Sequence, residues 1–206
     1  MFYWATCIIL GFISRILFRL QIKGLENIPK RGPFILACNH RSNLDPILIP
    51  ANISRKVYVL GKKELFKKPF KAKIMRMLDI IELDREGIDR GALRRARSVL
   101  QKGRGLLLFP EGTRRIDGRL GEPKAGVALF AFGGDFPVIP IFITGTEKAM
   151  PPKQHFVKPS KVKMTIGESL TAPKITDKSM KKSIYQDFTK RIMQEIAKLQ
   201  EKEEAA

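Results

Sequence analysis

Residues 34–45 read FILACNHRSNLD, an apolar run that breaks into a polar turn. The five consecutive apolar residues Phe34–Cys38 are typical of a strand that is buried on both faces of its sheet. The turn then presents His40, and Asp45 follows directly before Pro46. Because ligands and catalytic groups of α/β proteins gather outside the carboxyl ends of strands, we expect this turn to carry chemistry.

Other short apolar runs, punctuated by Gly and Pro, predict the remaining strands on either side of this stretch. They occupy residues 57–60, 80–83, 106–109, 138–144 and 162–166. Helical patterns lie between them at residues 88–102, 126–132 and 178–201. Short buried strands that alternate with helices favour an α/β layer architecture. Since no linker divides the chain, we predict a single α/β domain over residues 23–206, with a mixed, largely buried sheet flanked by helices.

The composition is that of a globular protein and excludes several functional classes. Of the 206 residues, 44% are hydrophobic and 29% are charged, and the formal net charge is +19. Such a basic surface is expected to attract phosphates, an anionic membrane or an acidic partner. Two histidines and two cysteines, none at the spacing of metal ligands, predict neither a metal site nor a disulfide scaffold.

The amino-terminal residues 1–14, MFYWATCIILGFIS, are almost wholly apolar, and Arg15 and Arg19 follow them. A signal peptide would instead carry its positive charge before the apolar run. As a helix the run is about 20 Å long, which is too short for the ~30 Å of hydrocarbon in a bilayer. We predict that residues 1–22 form a membrane-anchoring helical segment that lies in one leaflet, on the cytoplasmic face of the membrane. The alternatives are a buried core helix, or a span in which the arginines snorkel.

The basic residues are concentrated in two clusters. Residues 55–76 contain nine basic residues and a single acid, and residues 90–104 form the second cluster. A basic amphipathic helix in the first cluster is typical of a membrane or partner surface, and equally of a solvated helix with a core face. The second cluster holds no aromatic residue, which argues against nucleic acid because stacking platforms would be expected among the charges.

The pair His40 and Asp45 suits general base catalysis. A neutral imidazole can accept a proton from an attacking hydroxyl when a carboxylate holds its other nitrogen in one tautomer. On an extended chain five residues span ~16 Å, so the turn must fold back, as Ser42-Asn43 permits. Alternatively, Asp45 only caps a helix that begins with Pro46, and His40 is a turn histidine whose hydrogen bonds are satisfied.

A second strand that ends in a polar turn occupies residues 106–115, LLLFPEGTRR. Gly112 lets the backbone turn its N–H groups toward an anion, and Arg114 or Arg115 offers a planar fork for phosphate. Glu111 would repel a phosphate, so we expect it to fix an arginine or the turn. The alternative is an ordinary turn with solvated arginines. A nucleotide is not expected, since the chain contains neither a P-loop nor a GxGxxG motif.

In these two segments the chain resembles the glycerophosphate acyltransferase superfamily, and most closely its 1-acylglycerol-3-phosphate (lysophosphatidate) acyltransferases. The N-H-x4-D block of that family is matched by Asn39, His40 and Asp45, and its F-P-E-G-[TS]-R block stands complete from Phe109 to Arg114. The two blocks are much more specific together than either is alone.

Looser blocks extend the resemblance over roughly residues 24–145. A hydrophobic strand that ends in an arginine is matched by IIELDR with Arg85, and a Pro-containing apolar strand by PVIPIFI with Pro140. Lys124 in PKAG is similar to the basic step that follows the third block, and GLENIP at residues 24–29 is similar to a segment that often precedes the first.

The resemblance implies the transfer of an acyl chain from acyl-CoA or acyl carrier protein to the sn-2 hydroxyl of lysophosphatidate, which gives phosphatidate. It implies that His40 is the general base and that Asp45 orients it. The residues it assigns to binding of the glycerol phosphate are Arg85, Glu111, Gly112, Thr113, Arg114 and Lys124. The implied partners are the lysophosphatidate, the acyl donor as co-substrate and an anionic membrane surface, with no other cofactor, no metal and no nucleic acid.

Two further interpretations stay open. The first keeps the chemistry and changes the acceptor to glycerol 3-phosphate or another lysolipid, since the motifs are shared. The second belongs to another class, a basic peripheral membrane or nucleic-acid binding protein in which the FPEGTR segment is only a turn. A substitution of His40 would then leave every activity intact.

Overall fold

Seven strands form one sheet in the part of the chain that the structure describes. The structure is a computed structural model, and it describes residues 2–67, 69–84, 89–115, 117–151, 154, 156–175, 177 and 179–205. The strands are β1 (Gln21–Lys23), β2 (Phe34–Cys38), β3 (Val57–Lys62), β4 (Ile80–Leu83), β5 (Gly105–Leu108), β6 (Val138–Thr144) and β7 (Lys163–Ile166). Their order is β1-β7-β6-β2-β5-β3-β4, and each neighbouring pair is parallel except β6 with β7. The predicted mixed α/β sheet is therefore confirmed.

Helices cover both faces of this sheet. They are α1 (Phe2–Leu17), α2 (Asp45–Ala51), α3 (Pro69–Met77), α4 (Arg90–Gln101), α5 (Gly126–Ala131), α6 (Thr146–Ala149) and α7 (Lys181–Glu204). Leu36 of β2 packs on the side of α1, α2 and α3, whereas its neighbours Ile35 and Ala37 pack on the side of α4, α5 and α7. Because both faces are covered, every residue of β2 is buried, as its continuous apolar run predicts.

Helix α1 turns a narrow stripe of small and polar residues toward the rest of the protein. Gly11 packs so closely that an added Cβ would lie 3.1 Å from the carbonyl oxygen of Ala51 in α2. The Ser14 hydroxyl is fully buried and accepts a hydrogen bond from Asn52 Nδ2 at 3.1 Å. Near the start of the helix, the Tyr3 hydroxyl accepts a hydrogen bond from the backbone of Val57 at 3.1 Å. The small-residue stripe is therefore the contact surface of α1.

The opposite side of α1 presents large apolar side chains to solvent. These are Phe2, Trp4, Ile8, Ile9, Phe12, Ile13 and Ile16. That exposure contradicts the alternative of a buried core helix. The helix ends at Leu17 and β1 begins at Gln21, so the last two residues of the predicted 1–22 segment belong to the sheet. None of the helices in the described part of the chain is long and apolar enough to cross a membrane.

Candidate active site

The turn that carries His40 lies at the carboxyl end of β2, between β5 and β6. The Asn39 side chain, which is buried, continues the pairing of β2 with β6 beyond the last strand residue. Its Nδ2 donates a hydrogen bond to the carbonyl of Ile143 at 2.9 Å, and its Oδ1 accepts one from the Ile143 N–H at 2.8 Å. The backbone immediately before His40 is thus fixed to the sheet.

The turn folds back so that Asp45 reaches the His40 ring. Nδ1 of His40 lies 2.9 Å from Oδ2 of Asp45, which is completely buried. The same oxygen accepts hydrogen bonds from the backbone N–H groups of Arg41 at 2.7 Å and Ser42 at 2.8 Å. A carboxylate at this position favours the tautomer with the proton on Nδ1, which leaves Nε2 as the basic nitrogen. The His40 side chain is 16% exposed, so a substrate can approach it.

The alternative that Asp45 only caps a helix is wrong. Helix α2 does begin at Asp45, with Pro46 in its first turn, but the N-cap residue is Leu44. The Asp45 carboxylate points back into the His40 turn. Its other oxygen, Oδ1, is buried and has no hydrogen-bond partner within the described ranges.

Glu111 joins the His40 turn to the loop that follows β5. Its Oε1 accepts a hydrogen bond from the His40 backbone N–H at 3.0 Å, and its Oε2 accepts one from the Gly121 N–H at 3.0 Å. Burial raises the pKa of the Glu111 carboxyl, and these backbone hydrogen bonds oppose that rise. Of the two roles expected of Glu111, fixing an arginine or fixing the turn, the structure shows the second, since both of its oxygens accept hydrogen bonds from backbone N–H groups.

Two further contacts bring the same loops together. The Phe109 ring stacks on the His40 ring, with centroids 4.0 Å apart and planes inclined by 21°. The backbone N–H of Arg115 donates to the carbonyl of His40 at 2.7 Å. The sequence separated these two segments by about 70 residues; the sheet places them side by side because β2 and β5 are parallel neighbours.

Lys124 folds over Gly112, as a cradle for an anion requires. Gly112 has φ +67°, and a Cβ there would lie 2.9 Å from Lys124 Cδ and 3.2 Å from Nζ. The backbone N–H of Lys124 donates to the carbonyl of Pro110 at 2.8 Å, which holds the lysine over the turn. Thr113 and Arg114 are exposed on the same turn. Arg85, the remaining predicted phosphate ligand, lies outside the described residues.

A cleft of about 390 Å³ includes this cradle. Gly112, Lys124 and Pro110 are among its lining residues, as is Phe109, whose ring stacks on His40. The walls are mainly apolar and come from β3, β4, β5, α4 and α5; they include Leu60, Leu83, Leu93, Leu107, Leu108, Val127 and Phe130. Such a cleft suits a molecule with an anionic head and an apolar tail. In the described part of the chain, no group of three or more His, Cys, Asp or Glu could hold a metal ion.

Arg41 was not predicted as a functional residue, yet the structure buries it beside the site. Its guanidinium donates to Thr144 Oγ1 at 3.1 Å and to the carbonyl of Gly118 at 2.9 Å, and it lies over the Phe142 ring. Arg41 therefore attaches the loop after β5 to β6. The sequence does not predict that the Arg41 guanidinium is buried, because a buried and a solvated arginine look the same within a polar turn.

Comparison with known proteins agrees with this geometry. A family model described as Acyltransferase matches residues 19–144. A probable 1-acyl-sn-glycerol-3-phosphate acyltransferase of Mycoplasma pneumoniae is 31% identical over 153 residues, which are 68% of this chain and 57% of that protein. A chloroplastic 1-acyl-sn-glycerol-3-phosphate acyltransferase of Arabidopsis thaliana is 34% identical over 153 residues, which are 72% of this chain and 41% of that protein. The chain thus spans about half the length of these curated relatives.

A solved structure extends the similarity to nearly the whole chain. The crystal structure of the 1-acyl-sn-glycerophosphate (LPA) acyltransferase from Thermotoga maritima superimposes with a TM-score of 0.71 and 26% identity. The match covers 93% of this chain and 78% of that one. The family model spans more than half of the chain and contains both the His40 turn and the Gly112 loop, so the protein belongs to the acyltransferase family.

Proposed function

We propose that the protein is a 1-acylglycerol-3-phosphate O-acyltransferase, which moves an acyl chain from a thioester to the sn-2 hydroxyl of lysophosphatidate. The observation that carries the proposal is the 2.9 Å contact between His40 Nδ1 and Asp45 Oδ2, which lies beside the Gly112–Lys124 cradle at the end of an apolar cleft. The names of the relatives support the same reaction.

In this mechanism Nε2 of His40 accepts the proton of the attacking hydroxyl. The hydroxyl oxygen forms the new C–O ester bond, the C–S bond of the thioester breaks, and the proton leaves with the thiol. Asp45 holds the proton on Nδ1 and stabilises the imidazolium that forms. General base catalysis of this kind contributes about 10²–10⁴-fold to the rate. No acyl-enzyme, metal or further cofactor takes part in the proposed reaction.

The phosphate of the acceptor would bind on the turn after β5. Gly112 presents its backbone, Lys124 supplies a cation directly above it, and Thr113 and Arg114 lie exposed on the same turn. Arg85 is proposed to complete this set on the strength of the family resemblance. Glu111 contributes by holding the turn to His40 rather than by contact with the anion.

The acceptor and its product carry acyl chains, so the enzyme must reach a bilayer. We propose that the exposed apolar side of α1 enters one leaflet at the cytoplasmic face of the membrane, and that nearby cations bind anionic headgroups. An open cavity of about 620 Å³ beside α1 is lined by Lys56, Lys73 and Arg76 together with Tyr3. Cationic and apolar groups thus lie next to each other beside α1, as a membrane-binding surface requires.

Release of thiol from acyl-CoA and from acyl carrier protein, with and without lysophosphatidate, tests the proposed reaction. The wild type is compared with His40→Ala and with His155→Ala, which removes the other histidine of the chain. We expect a lysophosphatidate-dependent rate that falls by about 10²–10⁴-fold in His40→Ala and is unchanged in His155→Ala. Equal rates in all three proteins would remove His40 from the mechanism.

Parallel reactions with glycerol 3-phosphate and with other lysolipids identify the acceptor. The apolar cleft favours an acceptor that already carries one acyl chain. A higher kcat/KM for glycerol 3-phosphate than for lysophosphatidate would contradict the proposed acceptor and keep the reaction class.

A further inference from the structure

Helix α4 presents an unbroken stripe of arginines to solvent. Arg90, Arg94 and Arg97 are exposed and follow each other at steps of four and three residues, so they lie on one side of the helix. Ala92, Ala96 and Leu100 on the other side are buried. No Asp or Glu occurs between residues 90 and 104. We call this exposed side, Arg90–Arg94–Arg97, the α4 stripe.

No carboxylate in the described part of the chain pairs with the charge of the α4 stripe. Arg97 donates to the carbonyl of Gly133 at 2.9 Å, a neutral acceptor. Within the described ranges of the chain, none of the three guanidinium groups forms an ion pair with a carboxylate. Asp89, the nearest acid described, accepts the Ala92 N–H at 2.8 Å as the N-cap of α4. The stripe is therefore a cationic surface without a counter-charge in the described structure.

The α4 stripe lies on the opposite face of the sheet from α1. Helix α4 packs with α5 and α7 on one face, and α1 belongs to the layer of α2 and α3 on the other. Two helix layers, each about 10 Å across, and the sheet between them separate the two surfaces. That separation exceeds the Debye length of about 8 Å at physiological salt. A bilayer that receives α1 therefore cannot use the charge of the α4 stripe.

The first turns of α4 border the active-site cleft. Leu93 and Asp89 line the same cleft as Gly112 and Lys124. Arg90 follows Asp89 and Arg94 follows Leu93 in the sequence, and both arginines are exposed on the helix. A molecule bound on the stripe would therefore stand at the entrance of the cleft, on the side that faces away from the membrane.

We propose that the α4 stripe is the docking surface for an acidic acyl carrier protein, the soluble donor of the acyl thioester. The proposal rests on the proposed function and adds to it the donor and the face from which it arrives. The carrier would bring its thioester to the entrance of the cleft, toward the hydroxyl of the acceptor that the cleft and its Gly112–Lys124 cradle hold. The thioester C–S bond then breaks, the ester C–O bond forms, and the carrier leaves with a free thiol.

Binding of fluorescently labelled holo acyl carrier protein, measured by anisotropy, tests the proposal directly. The test variant is Arg90→Glu/Arg94→Glu, whose side chains make no hydrogen bond to other described residues. The matched control is Lys190→Glu/Arg191→Glu, which reverses two exposed charges on α7 and changes the net charge by the same amount. We expect Kd to rise by about tenfold or more in the α4 variant, because attraction becomes repulsion, and to stay unchanged in the control.

Kinetics with the two donors provide the second readout. The KM for acyl carrier protein should rise in the α4 variant, while the KM for acyl-CoA and the binding to vesicles of phosphatidylglycerol stay at the wild-type level. If carrier binding weakened equally in both variants, the effect would be one of net charge, and the proposal would be overturned. A parallel rise in KM for acyl-CoA would assign the stripe to the CoA phosphates, and loss of vesicle binding would assign it to the membrane; either result overturns the proposal. Should the wild type transfer from neither donor, the proposed function fails, and the two Kd values still decide the docking surface.

Discussion

A single glycine determines the shape of the turn after β5, where we propose that the phosphate binds. At φ +67°, Gly112 occupies the left-handed region, where other residues incur a conformational cost of about 1–2 kcal/mol. The side chain of Lys124 also fills the space that a Cβ would need. Gly118, on the same loop, has φ +79°, but no atom lies within 4 Å of the position that its Cβ would take. Both glycines therefore need the left-handed backbone conformation, but only at Gly112 would a Cβ also collide with another side chain.

We predict that Gly112→Ala raises the KM for lysophosphatidate more than Gly118→Ala does. Both variants should lose about 1–2 kcal/mol of unfolding free energy from the left-handed backbone, measured in denaturant. Only Gly112→Ala also displaces Lys124. The difference in KM between the two variants therefore measures the contribution of Lys124 to acceptor binding. The same KM in both variants would show that Lys124 does not bind the acceptor.

At the residue scale, the sequence predicted the residues of the candidate site, and the structure supplied the contacts between them. The repulsion between a carboxylate and a phosphate led us to expect that Glu111 fixes an arginine or the turn, and its two backbone hydrogen bonds show that it fixes the turn. The closure of His40 onto Asp45 was permitted by the turn residues but not required by them. The position of Lys124 over Gly112 depends on the eleven residues between them, and no local pattern in the sequence specifies the path of that loop.

Among the secondary-structure elements, α1 is the one that we propose contacts the membrane. Its contact side is made of small residues that allow close approach to α2, and its outer side keeps large apolar groups in water. Exposed apolar surface of this size is unfavourable in solution and becomes favourable in hydrocarbon. Tyr3 and Ser14 attach the helix to the protein body, so substitutions on the outer side test membrane binding more cleanly than removal of the helix.

We predict that Ile9→Gln/Phe12→Gln weakens partitioning onto phosphatidylcholine vesicles by more than tenfold. Each of these side chains contributes about 1.5–3 kcal/mol when it is fully transferred from water, and both are exposed on α1. Leu129→Gln/Met180→Gln, two exposed apolar residues outside α1, is the matched control and should bind vesicles as the wild type does. Cosedimentation with vesicles measures both. Retained binding in the α1 variant would locate the membrane contact elsewhere.

The sequence predicted the bounds of some strands and missed other elements. Strands β2, β4 and β6 begin and end where their apolar runs do. Strand β1 was not predicted, because it has only three residues, QIK, and two of them are exposed. It pairs with β7, which is 142 residues away in the register Gln21↔Lys163, and a long-range partner leaves no local signal. Helix α6 was missed because its four residues make only about one turn, which is too short to show a hydrophobic period.

At the scale of the whole molecule, Glu203 joins the end of α7 to the edge of the sheet. Its carboxylate, which is nearly buried, contacts Lys163 Nζ at 2.6 Å, Thr165 Oγ1 at 3.0 Å and Lys23 Nζ at 3.2 Å. The hydrogen bond from Lys163 is the main cause that lowers the pKa of Glu203, and burial opposes it. One side chain thus connects α7, β7 and β1.

We predict that Glu203→Gln destabilises the protein at neutral pH and that the loss disappears in acid. A carboxyl whose pKa is lowered by folding stabilises the folded state above its unfolded pKa, and that stabilisation is lost as the pH falls through the folded pKa. The expected cost at pH 7 is about 1–3 kcal/mol, because Lys163 loses its charged partner. Denaturant unfolding between pH 3 and pH 7, with the exposed Glu201→Gln as control, measures it. A cost that does not vary with pH would assign the effect to packing.

The pairing of β1 with β7 also has a consequence for how the chain is made. During synthesis, β1 follows α1 directly, but its partner strand is added only 142 residues later, at Lys163. Contacts between such distant segments form late and slow the folding of a domain. Throughout this interval the apolar side of α1 has already been synthesised while the sheet edge beside it is incomplete. We therefore expect the nascent chain to engage a chaperone or a bilayer before it finishes folding.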